Sequence, residues 1–194
     1  MKRFCLIWVM IFGLLVPAVF GENSRELLAR AEEWQRAAEN RETAAITQQA
    51  QAEEMILVAQ ELRKKEYGSE KERKKNWKMA GDKEREAGDC QGKAFANFDL
   101  AAGNWLNVAN ELEKVKTNKD LRGIEHKGFE DKGKNARLMN KLAKDNGTAA
   151  LRKAADAFEL AAEAYGASNV NDAGMEAMAR ERAATFREML ARRN

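Results

Sequence analysis

Alanine recurs every seven residues along the first part of the chain, at Ala31, Ala38, Ala45, Ala52 and Ala59. Trp34, Met55 and Leu62 stand three positions after three of these alanines, on the same stripe. Asn23, with Glu26 three positions on, supplies an N-terminal cap. Heptad spacing without glycine or proline is helical writing. It predicts one helix from about Ser24 to Glu66, or two with a break near Asn40 to Thr43. Tyr67-Gly68-Ser69 predicts a turn, and Ser69 with Glu72 forms a capping box for a highly charged helix to about Glu86. Trp77, Ala80 and Ala87 are its apolar marks.

Ala87-Gly88-Asp89 reads as a second turn, followed by a helix from about Cys90 to Lys116. Its stripe is Ala94, Phe98, Ala101, Trp105, Val108, Leu112 and Val115, with spacings that alternate four and three. That is the most regular period in the chain. Gly103 falls on the opposite face, where it costs about 1 kcal/mol of helix propensity relative to alanine. Residues 117–135 place Gly123, Gly128 and Gly133 among lysines and acids, which predicts an irregular basic segment or a poor helix. A helix resumes at Lys134, carrying Leu138 and Leu142, and Asp145-Asn146-Gly147-Thr148 reads as a turn. Leu151, Phe158 and Tyr165 then recur by sevens, with Ala154, Ala155, Ala161 and Ala162 between them. A last helix from about Asp172 to Arg192 directs Met175, Met178, Phe186, Met189 and Leu190 inward. The expected architecture is all-α with five to seven helices. It is an irregular antiparallel bundle or a short helical-repeat array, with long Ala-rich heptad helices.

One phrase occurs twice. Lys93 to Trp105 and Lys153 to Tyr165 share Lys, Ala, Phe, an acidic residue, Leu, Ala-Ala and a closing aromatic at the same offsets. The triplets Ala94, Phe98, Ala101 and Ala154, Phe158, Ala161 resemble the second helix of a tetratricopeptide repeat, and Trp77, Ala80 and Gly81 resemble its first. The resemblance reaches residues 70–105 and 135–165. It implies stacked helix pairs with a concave face for peptides or partner helices, and it carries no catalytic residue. The shared positions fall on core stripes, so the repeated aromatics are expected to be packing pillars.

Composition supports long amphipathic helices: charged residues make up 34% of the 194, with one proline and one histidine. Charge is nearly balanced overall but unevenly spread. Acids outnumber bases nine to four over Glu22 to Leu62, and bases outnumber acids twelve to five over Lys114 to Lys153. Internal complementarity is the favoured reading of that asymmetry, with an acidic partner as the alternative.

Met1-Lys2-Arg3, the apolar run Phe4 to Val16, Pro17 and the small Gly21 make a secretory leader, with cleavage expected after Gly21. Residues 1–21 are then signal peptide and 22–194 a single helical domain, periplasmic or secreted, with no membrane span after cleavage. Cys90 would be the one cysteine left, which excludes an internal disulfide and reads as a small residue on a helix face.

Candidate chemistry is sparse. Gly128 to Asn135 approaches a phosphate-binding loop, but Asn135 stands where a hydroxyl is needed and no strand precedes it. The single His126 excludes sites built on several histidines. The adjacent pairs Glu32-Glu33 and Glu53-Glu54 face apart on a helix. Asn146-Gly147-Thr148 is a glycosylation acceptor in a eukaryotic host. The sequence thus points to no catalytic residue, cofactor or metal. Lys116, Lys119, Arg122, Lys127, Lys132 and Lys134 are the candidate contacts for an anionic envelope polymer or lipid. They lack the interleaved aromatics that nucleic acid would ask for. The expected function is a non-enzymatic, exported interaction or scaffold module that binds another protein. The alternative is a self-associating spacer that pairs through its first helix. The working surface is expected on a helix face that leaves aromatics unburied.

Overall fold

A computed structural model describes residues 23–117, 124–168 and 173–193, without the side chains of residues 124–126. Residues 1–22, which include the expected leader, and residues 118–123 lie outside the described residues. Among the described residues there are four helices and no strand. They are α1, Ser24–Lys64; α2, Glu70–Thr117; α3, Ile124–Ser168; and α4, Ala173–Ala191. The protein is an all-α antiparallel bundle of long Ala-rich helices. The first three have 41, 48 and 45 residues, so each runs about 60–70 Å at 1.5 Å per residue.

The expected caps are present. Asn23 Oδ1 accepts the backbone N–H groups of Arg25 and Glu26 at 2.7 and 3.2 Å, and Ser69 Oγ accepts that of Glu72 at 3.3 Å. These contacts satisfy N–H groups that a helix start would otherwise leave open.

The core is built from layers of alanine. The stripe on α1 is buried throughout, from Ala31 to Ala59. Stripes of the same period run down α2 at Ala80, Ala87, Ala94, Ala101, Val108 and Val115, and up α3 at Ala136, Ala143, Ala150, Ala157 and Ala164. Because α2 is antiparallel to both neighbours, each step brings one residue from each helix to one level. Ala45, Ala94 and Ala150 share one cluster, and Ala52, Ala87 and Ala157 share the next. Ala31, Ala38, Ala101, Val108, Ala136 and Ala143 form the far end. A strict seven-residue repeat keeps such stripes facing inward when the helices wind left-handedly around each other.

Of the two readings of the first stretch the single helix holds, and two later expected turns do not occur. Asn40 to Thr43, Ala87 to Asp89 and Asp145 to Thr148 are all helical, which reduces five to seven helices to four among the described residues. At one of these places the glycine is a notch that receives a ring: a Cβ on Gly88 would stand 2.7 Å from Phe158 Cδ2, whereas one on Gly147 would make ordinary contacts, 3.4 Å from Phe98 Cβ and 3.6 Å from Phe95 Cδ2. Gly81 faces Tyr165 and Gly92 faces Phe186 as Gly88 faces Phe158. The local turn chemistry loses to burial of an aromatic ring, worth about 1.5–3 kcal/mol. Residues 124–135 are likewise helical, forming the first turns of α3 where an irregular segment was an alternative.

The short α4 lies over the groove between α2 and α3. Met175, Ala179, Ala183 and Phe186 pack on Phe158, Ala161, Ala162 and Tyr165. Phe186 stacks on Phe158 with centroids 5.7 Å apart, and Arg193 sits over the Phe95 ring of α2 at 4.6 Å and pairs with Asp99. Met178, expected inward, is exposed.

Candidate functional site

Polar groups along one column of α2 explain how the helices are keyed. Glu84, Gln91, Phe98, Trp105 and Leu112 recur by sevens and are all buried. On α1 the facing column, running the other way, is Glu42, Gln49, Ile56 and Arg63. At one end Trp105 donates its indole N–H to Glu42 Oε1 at 2.9 Å. At the other end Arg63 donates to Glu84 Oε2 at 2.7 Å and to the Leu160 carbonyl of α3, also at 2.7 Å. The Arg63 guanidinium lies over the Trp77 ring, 4.9 Å from its centroid. One side chain therefore ties the end of α1 to both neighbours. Burial pushes the Glu84 carboxyl above its ordinary range, against the opposing pull of Arg63. Between the two keyed ends, Gln91 meets Ile56, which has no polar group to offer. Gln91 is 3% exposed, and among the described residues its Oε1 has no hydrogen-bond partner.

At that level the molecule opens. A cleft of about 470 Å³ lies between α1 and α3, walled by Ile56, Leu57, Ala157 and Leu160 and floored by Ala87 and Gln91 of α2. Its rim carries the Lys153–Glu53 ion pair at 2.9 Å, and Asp156. The other two seams are filled. Asn97 closes the seam between α1 and α2 by bonding Arg41 at 3.1 Å and Gln48 at 3.0 Å. The groove between α2 and α3 holds α4. Among the described residues the α1–α3 groove is the uncovered one, and α1 and α3 contact each other far less than either contacts α2. Ile46 and Leu57 of α1 and Leu142 of α3 are 59%, 61% and 49% exposed along it.

Three of the six expected basic contacts are engaged within the chain. Lys116 lies 3.8 Å from Glu113, Lys134 lies 2.8 Å from Glu130, and Lys132 sits over the Phe129 ring at 5.7 Å. The Lys134 hydrogen bond holds Glu130 below the usual carboxylate range and raises Lys134 in turn. Lys127 is exposed, and Lys119 and Arg122 lie outside the described residues. Gly128 to Asn135 is helical, so its amides bond within α3 instead of wrapping a phosphate. The side chain of His126 also lies outside the described residues. Cys90 is half-buried beside the Ala52, Ala87 and Ala157 layer. No group of three or more His, Cys, Asp or Glu side chains is placed to hold a metal among the described residues. No helix there is long and apolar enough to cross a membrane.

The recurring aromatics are core, as their stripes required: Phe98, Trp105, Phe158 and Tyr165 are each at most 6% exposed. Burial and a 2.8 Å hydrogen bond to Asp82 push the Tyr165 hydroxyl far above its ordinary value. The large apolar side chains left outside are mainly aliphatic, although Trp34 is 39% exposed. Sequence reasoning missed the α1–α3 groove. The signal was the antiparallel alignment of the α1 and α2 heptads, which sets Ile56 against Gln91 once α2 is read without a break. A second cationic stretch, Lys71, Lys74, Lys75 and Lys78 at the start of α2, was also not singled out. No family model, curated protein or solved structure matches the chain.

Proposed function

We propose that this chain is an exported, non-enzymatic binding module whose working surface is the groove between α1 and α3, and whose partner is an amphipathic helix of another protein. The observation that carries the reading is the contrast between two grooves of one bundle. Where α2 and α3 leave a channel, α4 fills it with Met175, Ala179, Ala183 and Phe186, a helical spacing of four, four and three. The α1–α3 channel presents Ile46, Leu57 and Leu142, exposed and with no helix of the described residues over them. A helix with an apolar stripe is the shape that ridges and grooves of this kind accept. The resemblance to helical-repeat modules, which take partner helices, agrees with this reading. Export rests on the leader.

Self-association through α1 has less support, because the alanine stripe that would pair two copies is buried inside one. An anionic partner at the basic run would have to displace Glu113 and Glu130 from Lys116 and Lys134.

The test is capture of partners from the extract in which the protein naturally occurs, using wild type and a Leu57→Glu, Leu142→Glu variant. Both positions are exposed, so surface substitutions there should leave stability within about 0.5 kcal/mol. The reading requires that the variant melts like wild type and loses the captured protein. Equal capture by both would place the working surface elsewhere.

A further inference from the structure

The cleft beneath Leu57 carries a second and more specific message than the groove it belongs to. The α2 column answers Trp105 with Glu42 and Glu84 with Arg63, but leaves the Gln91 oxygen without a donor. Buried acceptors are nearly always paired, so an unpaired one at the floor of a cleft calls for an explanation. The cleft volume, about 470 Å³, lies in the range of small-molecule sites. Its walls are aliphatic. Its rim is electrostatically incomplete: Glu53 already occupies Lys153, and among the described residues no cation pairs with Asp156. The vacant interactions are therefore one acceptor at the base, apolar surface between, and one carboxylate at the mouth.

We propose that this cleft binds a small organic ammonium ion. Its flat apolar or aromatic body lies between Ile56, Leu57 and Leu160. An N–H or O–H donates to Gln91 Oε1, and its positive charge sits against Asp156. The Gln91 oxygen is itself buried, and the carboxamide turns about its terminal torsion to bring it to the donor. A charged acceptor at the rim and a neutral one at the base orient the guest in one sense only. This inference stands apart from the partner-helix reading, and either can fail without the other.

The experiment is a titration of the isotope-labelled protein, followed by nuclear magnetic resonance. Tryptamine is the probe, since it combines an aromatic body, an N–H donor and an ammonium group. Saturable shifts should concentrate at Ile56, Gln91 and Ala157. 1-Methyltryptamine, which lacks the indole N–H, should bind about tenfold more weakly, the loss that follows when a buried acceptor stays unpaired. N-Acetyltryptamine, which lacks the charge, should also bind more weakly, and Asp156→Asn should remove the difference between it and tryptamine. Gln91→Met should lower tryptamine affinity to that of the methylated probe and abolish discrimination between the two. The methylated probe acts on wild-type protein, so that arm holds even if the variant folds poorly. Absence of saturable shifts at millimolar tryptamine would overturn the proposal. So would equal affinity for the methylated and unmethylated probes.

Discussion

The same substitution, glycine to alanine, should act in opposite directions at two positions of α2. In a helix interior the change gains about 1 kcal/mol of propensity. Gly103 is exposed and a Cβ there meets nothing within 4 Å, so Gly103→Ala should collect that gain. At Gly88 the new methyl would lie 2.7 Å from both Cδ2 and Cε2 of Phe158 and 3.1 Å from Cγ. Carbon atoms prefer about 3.5–4.0 Å. The ring has little room to retreat, because it is 1% exposed and stacked against Phe186 at an interplanar angle of 14°. Overpacking of this kind costs about 1–3 kcal/mol, which outweighs the propensity gain over most of its range. Gly88→Ala should therefore lose up to about 2 kcal/mol, while Gly103→Ala gains about 1.

Urea denaturation followed by far-ultraviolet circular dichroism measures both. In thermal melts each kcal/mol corresponds to about 2–4 °C for a chain of this size. A double-mutant cycle makes the cause specific. Phe158→Leu should cost stability in the wild type, and much less on the Gly88→Ala background, because the smaller side chain vacates the space the methyl needs. If Gly88→Ala proved as stabilising as Gly103→Ala, the notch account of the mid-helix glycines would be wrong.

Arg63→Met should destabilise the fold by about 3–5 kcal/mol, since it strands the buried Glu84 carboxylate. Adding Glu84→Met should recover most of the loss, and additive losses in a denaturation cycle would refute the pairing. Burial leaves Glu84 with a raised folded pKa, so the native chain keeps this proton to higher pH than the unfolded chain does. The contribution of Glu84 to stability therefore falls as pH rises upward from its ordinary value of 4.5. Glu84→Gln should gain on wild type across that interval in denaturation midpoints, and a gain confined to falling pH would reverse the sign. Gln91→Met removes an unpartnered buried acceptor and should stabilise the fold by about 1–3 kcal/mol; unfolding at lower urea than wild type would show that the oxygen is satisfied after all.

The helices were legible wherever local and tertiary signals agreed. Asn23 and Ser69 cap as read, and the alanine stripe of α1 and the four-three alternation after Ala94 are buried as their periods required. Reading failed where a glycine stood beside Asp or Asn. Gly88-Asp89 and Asn146-Gly147 carry turn chemistry, and nothing within a few residues reveals Phe158 or Phe98, some fifty to seventy positions away in the chain. The decision lies in a contact between helices, and a window of turn residues holds no information about it. The candidate site was hidden by the same error. With α2 broken at Gly88, the column from Glu84 through Gln91 to Trp105 is not continuous, and the mismatch of Gln91 with Ile56 does not appear. The basic run was visible as composition; Glu113 and Lys116 already stood three apart within an expected helix, whereas Glu130 and Lys134 come into reach only because residues 124–135 are helical.

Alanine layers also explain why this bundle has a usable surface. A core of methyl groups lets α2 approach each of its two neighbours closely. Each layer then buries little apolar area, and large side chains cannot fit between the axes. They are displaced to the seams between pairs of helices. Trp105 and Phe98 enter seams that polar partners or glycines complete, and Phe158 and Tyr165 enter the seam that α4 covers. Leu57 and Leu160 enter the remaining seam, where α1 and α3 run parallel and no helix of the described residues is laid across them. The geometry that makes the core thin is thus the geometry that leaves one apolar channel open, with a single unanswered acceptor at its base.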